Sequence, residues 1–195
     1  MTQQAQSFYT NITLNDVQLA AIYYPILINL ARHKHCLTYG ELVKQAKDLH
    51  PDIEFVQRAI PVSTGRKLDI VRLFTSERAL PDVTSLIINK TLGECGNGVT
   101  EHFNPVKLRE EVFAYDWSTV SEEFDMYIEA AEQKATPQVR LTREEAKEMT
   151  IKYFQNNRAI LPQAISRHRD DIISLTLEGY DTKDAFELIS RSLKE

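Results

Sequence analysis

The stretch that decides the fold runs from Thr38-Tyr39-Gly40-Glu41-Leu42-Val43 through Leu80-Pro81-Asp82-Val83-Thr84-Ser85-Leu86-Ile87-Ile88-Asn89-Lys90 to Gly93-Glu94-Cys95-Gly96-Asn97-Gly98. Thr38 and Glu41 form a T-x-x-E capping box, a spacing at which each side chain satisfies an amide of the other. It launches a short helix carrying Leu42, Val43, Ala46 and Leu49. His50-Pro51-Asp52 interrupts that helix, and Asp52 is placed to cap a second one with Ile53, Val56 and Ile60. After Pro61 and Val62-Ser63-Thr64-Gly65 the helical period resumes around Lys67, with Leu68 and Val71. Val83 to Asn89 reads as a strand, and the glycines at 93, 96 and 98 permit a reversal into a partner strand at 99–103. Helix, turn, helix, strand and wing tip are the order of a winged helix-turn-helix. The glycines are spaced G-x-x-G-x-G without the Lys-Ser/Thr or following helix of a phosphate loop, so a hairpin tip is the better reading.

Outward from this core, residues 1–12 are polar and lack a helical period, which predicts a loose arm whose Phe8, Tyr9 and Ile12 can pack back. Thr13, with Asp16 in the first turn, starts a buried helix striped by Val17, Ala20, Ala21, Tyr24, Leu27, Ile28 and Ala31, in which Pro25 should introduce a kink. The run Arg32-His33-Lys34-His35 suits the negative end of that helix, with phosphate contact and a metal site as the alternatives. Asn104-Pro105 opens another helix, and Trp117, the only tryptophan, is placed to anchor the junction with the tail. A helix with Phe124, Tyr127 and Ile128 follows, then a linker at 133–141. A second capping box, Thr142-x-x-Glu145, begins three short helices. The expected fold is mainly α with a small β-hairpin: an arm at 1–12, a winged-helix-like domain with appended helices at 13–132, the linker, and a small helical bundle at 142–195.

At 195 residues, 43% hydrophobic and 26% charged, the chain has the composition of an ordinary globular protein. No apolar run is long enough to span a bilayer, so no membrane partner and a cytoplasmic location are expected. Cys36 and Cys95 lack metal-ligand spacing and read as thiols. No nucleophile motif or H-E-x-x-H occurs, and His168 in Ser166-Arg167-His168-Arg169-Asp170-Asp171 reads as part of a solvated face. Neither catalysis, a cofactor nor a metal site is expected. The net charge of -5 is unevenly shared, with 10 Lys/Arg against 8 Asp/Glu through residue 91 and 13 against 20 thereafter. The first half can approach a polyanion, whereas the second repels one.

The segments Thr38–Val43, Leu80-Pro81, Ile87–Asn89 and Gly93–Gly98 resemble the winged-helix DNA-binding half of the alkylguanine-DNA alkyltransferases and alkyltransferase-like proteins. The likeness covers roughly residues 14–103. It implies duplex DNA as a ligand and gives Tyr39 the place of a tyrosine that assists nucleotide flipping. Leu80-Pro81-Asp82-Val83 stands where that family has its P-C-H-R acceptor-cysteine segment, so the resemblance does not extend to alkyl transfer. The leading expectation is a non-catalytic protein that binds DNA through Arg58, Arg66 and Lys67 on the outward helix face, with Lys90 on the wing. The alternative is an antitoxin or toxin-immunity protein that covers a basic partner with Glu122, Glu123, Asp125 and Glu129, joined by Asp170, Asp171 and Glu178.

Overall fold

The computed structural model describes residues 6–9, 11–91, 93–95, 104–118, 121–135 and 141–193, and these are mostly helical. The organising element is α1 (Leu14–His33), continuous through Pro25. Its start is fixed by a reciprocal cap: Asp16 N–H donates to Thr13 Oγ1 (3.1 Å), and Thr13 N–H to Asp16 Oδ2 (3.0 Å). The helix buries residues on several sides, among them Val17, Leu19, Tyr23, Tyr24, Leu27 and Leu30, because neighbours surround it. After it come β1 (Leu37–Thr38), α2 (Tyr39–Leu49), α3 (Glu54–Arg58), a 3₁₀ turn at Pro61–Ser63, and α4 (Thr64–Glu77). A 3₁₀ turn at Val83–Leu86 leads to β2 (Ile87–Ile88), then α5 (Pro105–Ala114) and α6 (Ser121–Lys134). An aromatic knot ties α1, α4 and α6 together. Tyr24 stacks on Phe124 at 3.7 Å, and Phe74 meets both edge-on at 5.7 and 4.9 Å.

The strand expected over Val83–Asn89 is shortened to Ile87–Ile88. Asp82 Oδ1 accepts from Thr84 N–H (3.0 Å) and Thr84 Oγ1 (2.7 Å), and this local cap draws Val83–Leu86 into a 3₁₀ turn despite its β-favouring residues. The partner of β2 is β1, the strand that precedes α2, and the two run parallel in the register Leu37 with Ile87 and Thr38 with Ile88. Gly96, Gly98 and the expected wing strand at 99–103 lie outside the described residues.

Asn104 caps α5, its Oδ1 accepting from Val106 and Lys107 N–H. Trp117 is buried as an anchor, donating Nε1–H to Val112 O at 2.9 Å while its carbonyl accepts from Arg32 Nη2 at 2.8 Å. The carboxyl-terminal part comprises α7 (Arg143–Asn157), a 3₁₀ turn at Gln163–His168, α8 (Arg169–Leu177) and α9 (Thr182–Ser192). Ile165, Ile172, Leu175, Tyr180, Ala185, Phe186 and Ile189 form a core of their own, and Ile60 and Val62 from the turn before α4 pack into it. The bundle is therefore docked against the amino-terminal end of α4.

Candidate functional site

A cleft of about 690 Å³ opens where the arm, the start of α2, the end of β2, the inner part of α4 and the last helix converge. Its lining combines the rings of Phe8, Tyr9 and Tyr39 with Arg72, Lys90 and Arg191, and Thr38, Asn89 and Thr91 supply hydrogen-bonding groups. Each side is held in place by identifiable local chemistry.

The arm is strapped down by α4. Asp69 Oδ2 accepts from Ser7 Oγ (2.7 Å) and Phe8 N–H (3.0 Å). Arg72, paired with Asp69 at 2.7 Å, donates to Gln6 O at 2.7 Å and lies 4.0 Å over the Phe8 ring. Tyr9 crosses Gly65 so closely that a Cβ there would stand 2.8 Å from its hydroxyl oxygen. Burial, reinforced by Asp69, pushes the Tyr9 phenol pKa upward.

On the opposite wall, the reciprocal Thr38/Glu41 cap closes the start of α2, with Thr38 N–H donating to Glu41 Oε2 at 2.7 Å. Those hydrogen bonds hold the Glu41 carboxyl below its usual range. Lys90 sits on a turn built by its neighbours: Asn89 N–H donates to Glu94 O (2.8 Å), Thr91 N–H to Asn89 Oδ1 (2.8 Å), and Gly93 N–H to Asn89 O (2.9 Å). Gly93 adopts a φ of 64°, a left-handed conformation natural to glycine. Arg109 clamps the turn from outside, 2.8 Å from Glu94 Oε2 through Nη2. The third wall carries His168, 3.0 Å from Asp171, and Arg191 on α9, 3.4 Å from Glu187.

Next to this cleft lies a buried ion cluster that joins the two halves of the chain. Lys67 is 0% exposed, its Nζ 3.0 Å from Asp16 Oδ1, 2.9 Å from Glu178 Oε2 and 3.2 Å from Tyr180 Oη. The Tyr180 hydroxyl donates to Asp16 Oδ1 at 3.2 Å. Arg66 reaches Asp16 Oδ2 at 3.2 Å and Asn11 O at 2.7 Å, and its guanidinium lies 4.6 Å over the Tyr180 ring. Burial opposes the charge on Lys67, but Glu178, Tyr180 and Asp16 outweigh it and hold the ammonium well above the usual lysine value. Likewise, Lys67 and Arg66 overcome desolvation to keep the Asp16 carboxyl below its ordinary range.

These positions correct part of the expected recognition surface. Lys67 points inward, and Ser63 and Thr64 beside it are buried as well. Arg66 retains 12% side-chain exposure and is bound to Asp16. Arg58 is one-third exposed, pairs with Glu54 at 2.8 Å, and does not line the cleft. Lys90 alone of the four is exposed, at the cleft edge. Among the acidic residues, Glu122, Asp125 and Glu129 are exposed on α6, while Glu123 is 3.0 Å from Arg78. Glu178 is not part of an acidic surface, because it is buried against Lys67.

Sequence reasoning missed Arg72, Asp69 and Arg191 as cleft residues, since no local spacing connects them to Lys90 or Tyr39. The apolar content of the arm was the one signal that Phe8 and Tyr9 would fold back. Among the described residues, no helix is long and apolar enough to cross a membrane, and no group of three or more His, Cys, Asp or Glu is arranged to hold a metal. No family model, curated protein or solved structure matches this chain.

Proposed function

We propose that the protein is a non-catalytic nucleic-acid-binding module whose contact is the cleft, rather than the outer face of α4. The observation that carries this reading is the convergence of Phe8, Tyr9 and Tyr39 with Lys90 and Arg191 around one opening, in which Arg72 is committed to Asp69 and the Phe8 ring. Aromatic faces accept unstacked bases, while peripheral cations accept phosphates, so the pairing favours a single-stranded segment or a nucleotide turned out of a duplex. The docked bundle at Ile60 and Val62, together with the internal pairing of Arg66 and Lys67, disfavours a conventional major-groove contact through α4. Fluorescence anisotropy with a labelled single-stranded oligonucleotide tests the reading. Binding should weaken steeply with added salt, and Lys90→Glu with Arg191→Glu should abolish it while the circular dichroism stays unchanged. Absence of binding at low salt would remove the proposal.

One observation favours a second reading, an acidic surface for a basic protein partner. Glu122, Asp125, Met126 and Glu129 fall at helical spacing on the exposed side of α6, and Met126 is 63% exposed among the carboxylates. An apolar anchor within a charged rim suits steered protein association. Under this reading, reversal of Glu122, Asp125 and Glu129 to lysine eliminates binding of the basic partner. The Lys90 and Arg191 reversals leave it intact.

A further inference from the structure

A second cavity, about 530 Å³, lies in the carboxyl-terminal bundle between α7, the Gln163–His168 turn, α8 and α9, and shares no lining residue with the cleft. Its floor is apolar. Ile165, Ile172 and Phe186 are each 1% exposed, and the partly buried Ile151 and Phe154 form walls. Thr150 brings no open donor to it, because its hydroxyl donates to Ala146 O at 2.8 Å.

Charge enters this groove only at Arg158 and Arg169, both exposed. Neither forms an ion pair among the described residues, although other basic residues of the bundle do. The carboxylates next to Arg169 in sequence are engaged elsewhere: Asp170 by Arg143 at 3.2 Å, and Asp171 by His168 at 3.0 Å. Two guanidiniums thus border an apolar depression without an internal counter-ion. Its volume falls in the range of small-molecule pockets, roughly 300–1,000 Å³, and is ill suited to a whole partner helix.

We propose that this groove binds a small apolar carboxylate of the medium-chain fatty-acid type. The alkyl chain covers Ile165, Ile172 and Phe186, and the carboxylate is held by Arg158 and Arg169. The floor supplies affinity through burial of apolar surface, and the planar guanidiniums select an anionic head over a neutral or cationic one. This assignment does not depend on the nucleic-acid reading of the cleft.

Isothermal titration of the full chain with sodium decanoate, below its micellar range, tests the proposal. One saturable site per chain is expected. Arg158→Gln with Arg169→Gln should weaken it by about tenfold or more, the loss of a charge-assisted contact. Ile151→Asp, at a partly buried wall, should also weaken it, and decyltrimethylammonium should not occupy the site. Absence of saturable binding by a folded protein, indifference to the arginine substitutions, or equal binding of the cationic amphiphile would each overturn the proposal. Sedimentation provides a separate check, because a dimer that decanoate fails to displace would assign the groove to a second copy of the chain.

Discussion

Replacing Lys67 with methionine removes the ammonium that bridges Asp16 and Glu178 but keeps a side chain of similar length. Lys67 has no exposure, and its two carboxylate partners are 3.0 and 2.9 Å away, so the substitution leaves buried negative charge without its principal counter-ion. Breaking a buried pair on one side costs about 3–5 kcal/mol. With a urea m-value near about 2 kcal/mol/M, the unfolding midpoint should fall by roughly 1.5–2.5 M. Glu178→Gln is gentler, because Lys67 keeps Asp16, and about 1–3 kcal/mol is expected for the damaged hydrogen bonding. The double substitution should cost less than the sum of the two, since Lys67 and Glu178 are in direct contact. Urea unfolding monitored by far-UV circular dichroism measures all three variants. A midpoint shift below about 0.5 M for Lys67→Met at an unchanged m-value would refute the reasoning, because it would mean water already solvates the cluster.

Burial raises the pKa values of Tyr23, Tyr24 and Tyr127 to about 12. Unfolded tyrosines bind fewer protons above pH 10, so this contribution to stability is complete below about 10 and is lost as pH rises towards 12. A spectrophotometric titration should show a late tyrosinate phase coincident with unfolding, and a single early phase with native circular dichroism would contradict it. Gly65→Ala places a methyl group 2.8 Å from the Tyr9 hydroxyl position and should loosen the arm, seen as faster chymotryptic cleavage near Phe8 and Tyr9. In a Tyr9→Phe background the obstructing oxygen is absent, so the same change should stabilise α4 by up to about 1 kcal/mol, the helix preference of alanine over glycine. Thr142→Ala removes the hydroxyl half of a reciprocal cap, in which Thr142 Oγ1 accepts from Glu145 N–H at 3.3 Å and donates to Glu145 Oε2 at 2.7 Å, and thermal unfolding should register a loss of about 1 kcal/mol.

The features legible in the sequence were those written at short range. Thr13/Asp16, Thr38/Glu41 and Thr142/Glu145 each place their capping partners three residues apart, and all three open helices. Asn104-Pro105 also started the helix its residue types predict. The strand at 83–89 was over-read because an equally local signal, the Asp82/Thr84 cap, competed with a β-favouring run and captured its first half. Lys67 was harder still. Its neighbours Thr64, Gly65 and Arg66 made that side of α4 look polar and outward, whereas its partners stand 51 and 111 positions away at Asp16 and Glu178. The candidate site shows the same limit: Lys90 and Tyr39 could be named from their motifs, but their convergence with Arg191 depends on how the last helix docks.

That docking also changes the meaning of the charge asymmetry between the two halves. One carboxylate of the acidic half, Glu178, is spent inside the molecule on a lysine of the basic half, and Tyr180 beside it completes the contact. Among the described residues, Glu122, Asp125 and Glu129 form no such buried pair, and they flank an exposed methionine. The cations divide in the same way, since Arg66 and Lys67 hold the fold together while Lys90 and Arg191 remain at the cleft. Net charge by sequence half therefore overstates the electrostatic contrast available to a partner. Only side chains left outside the buried pairings can steer association, and those at the cleft and those on α6 lie on separate surfaces, so substitutions at the two places can distinguish a nucleic-acid ligand from a basic protein.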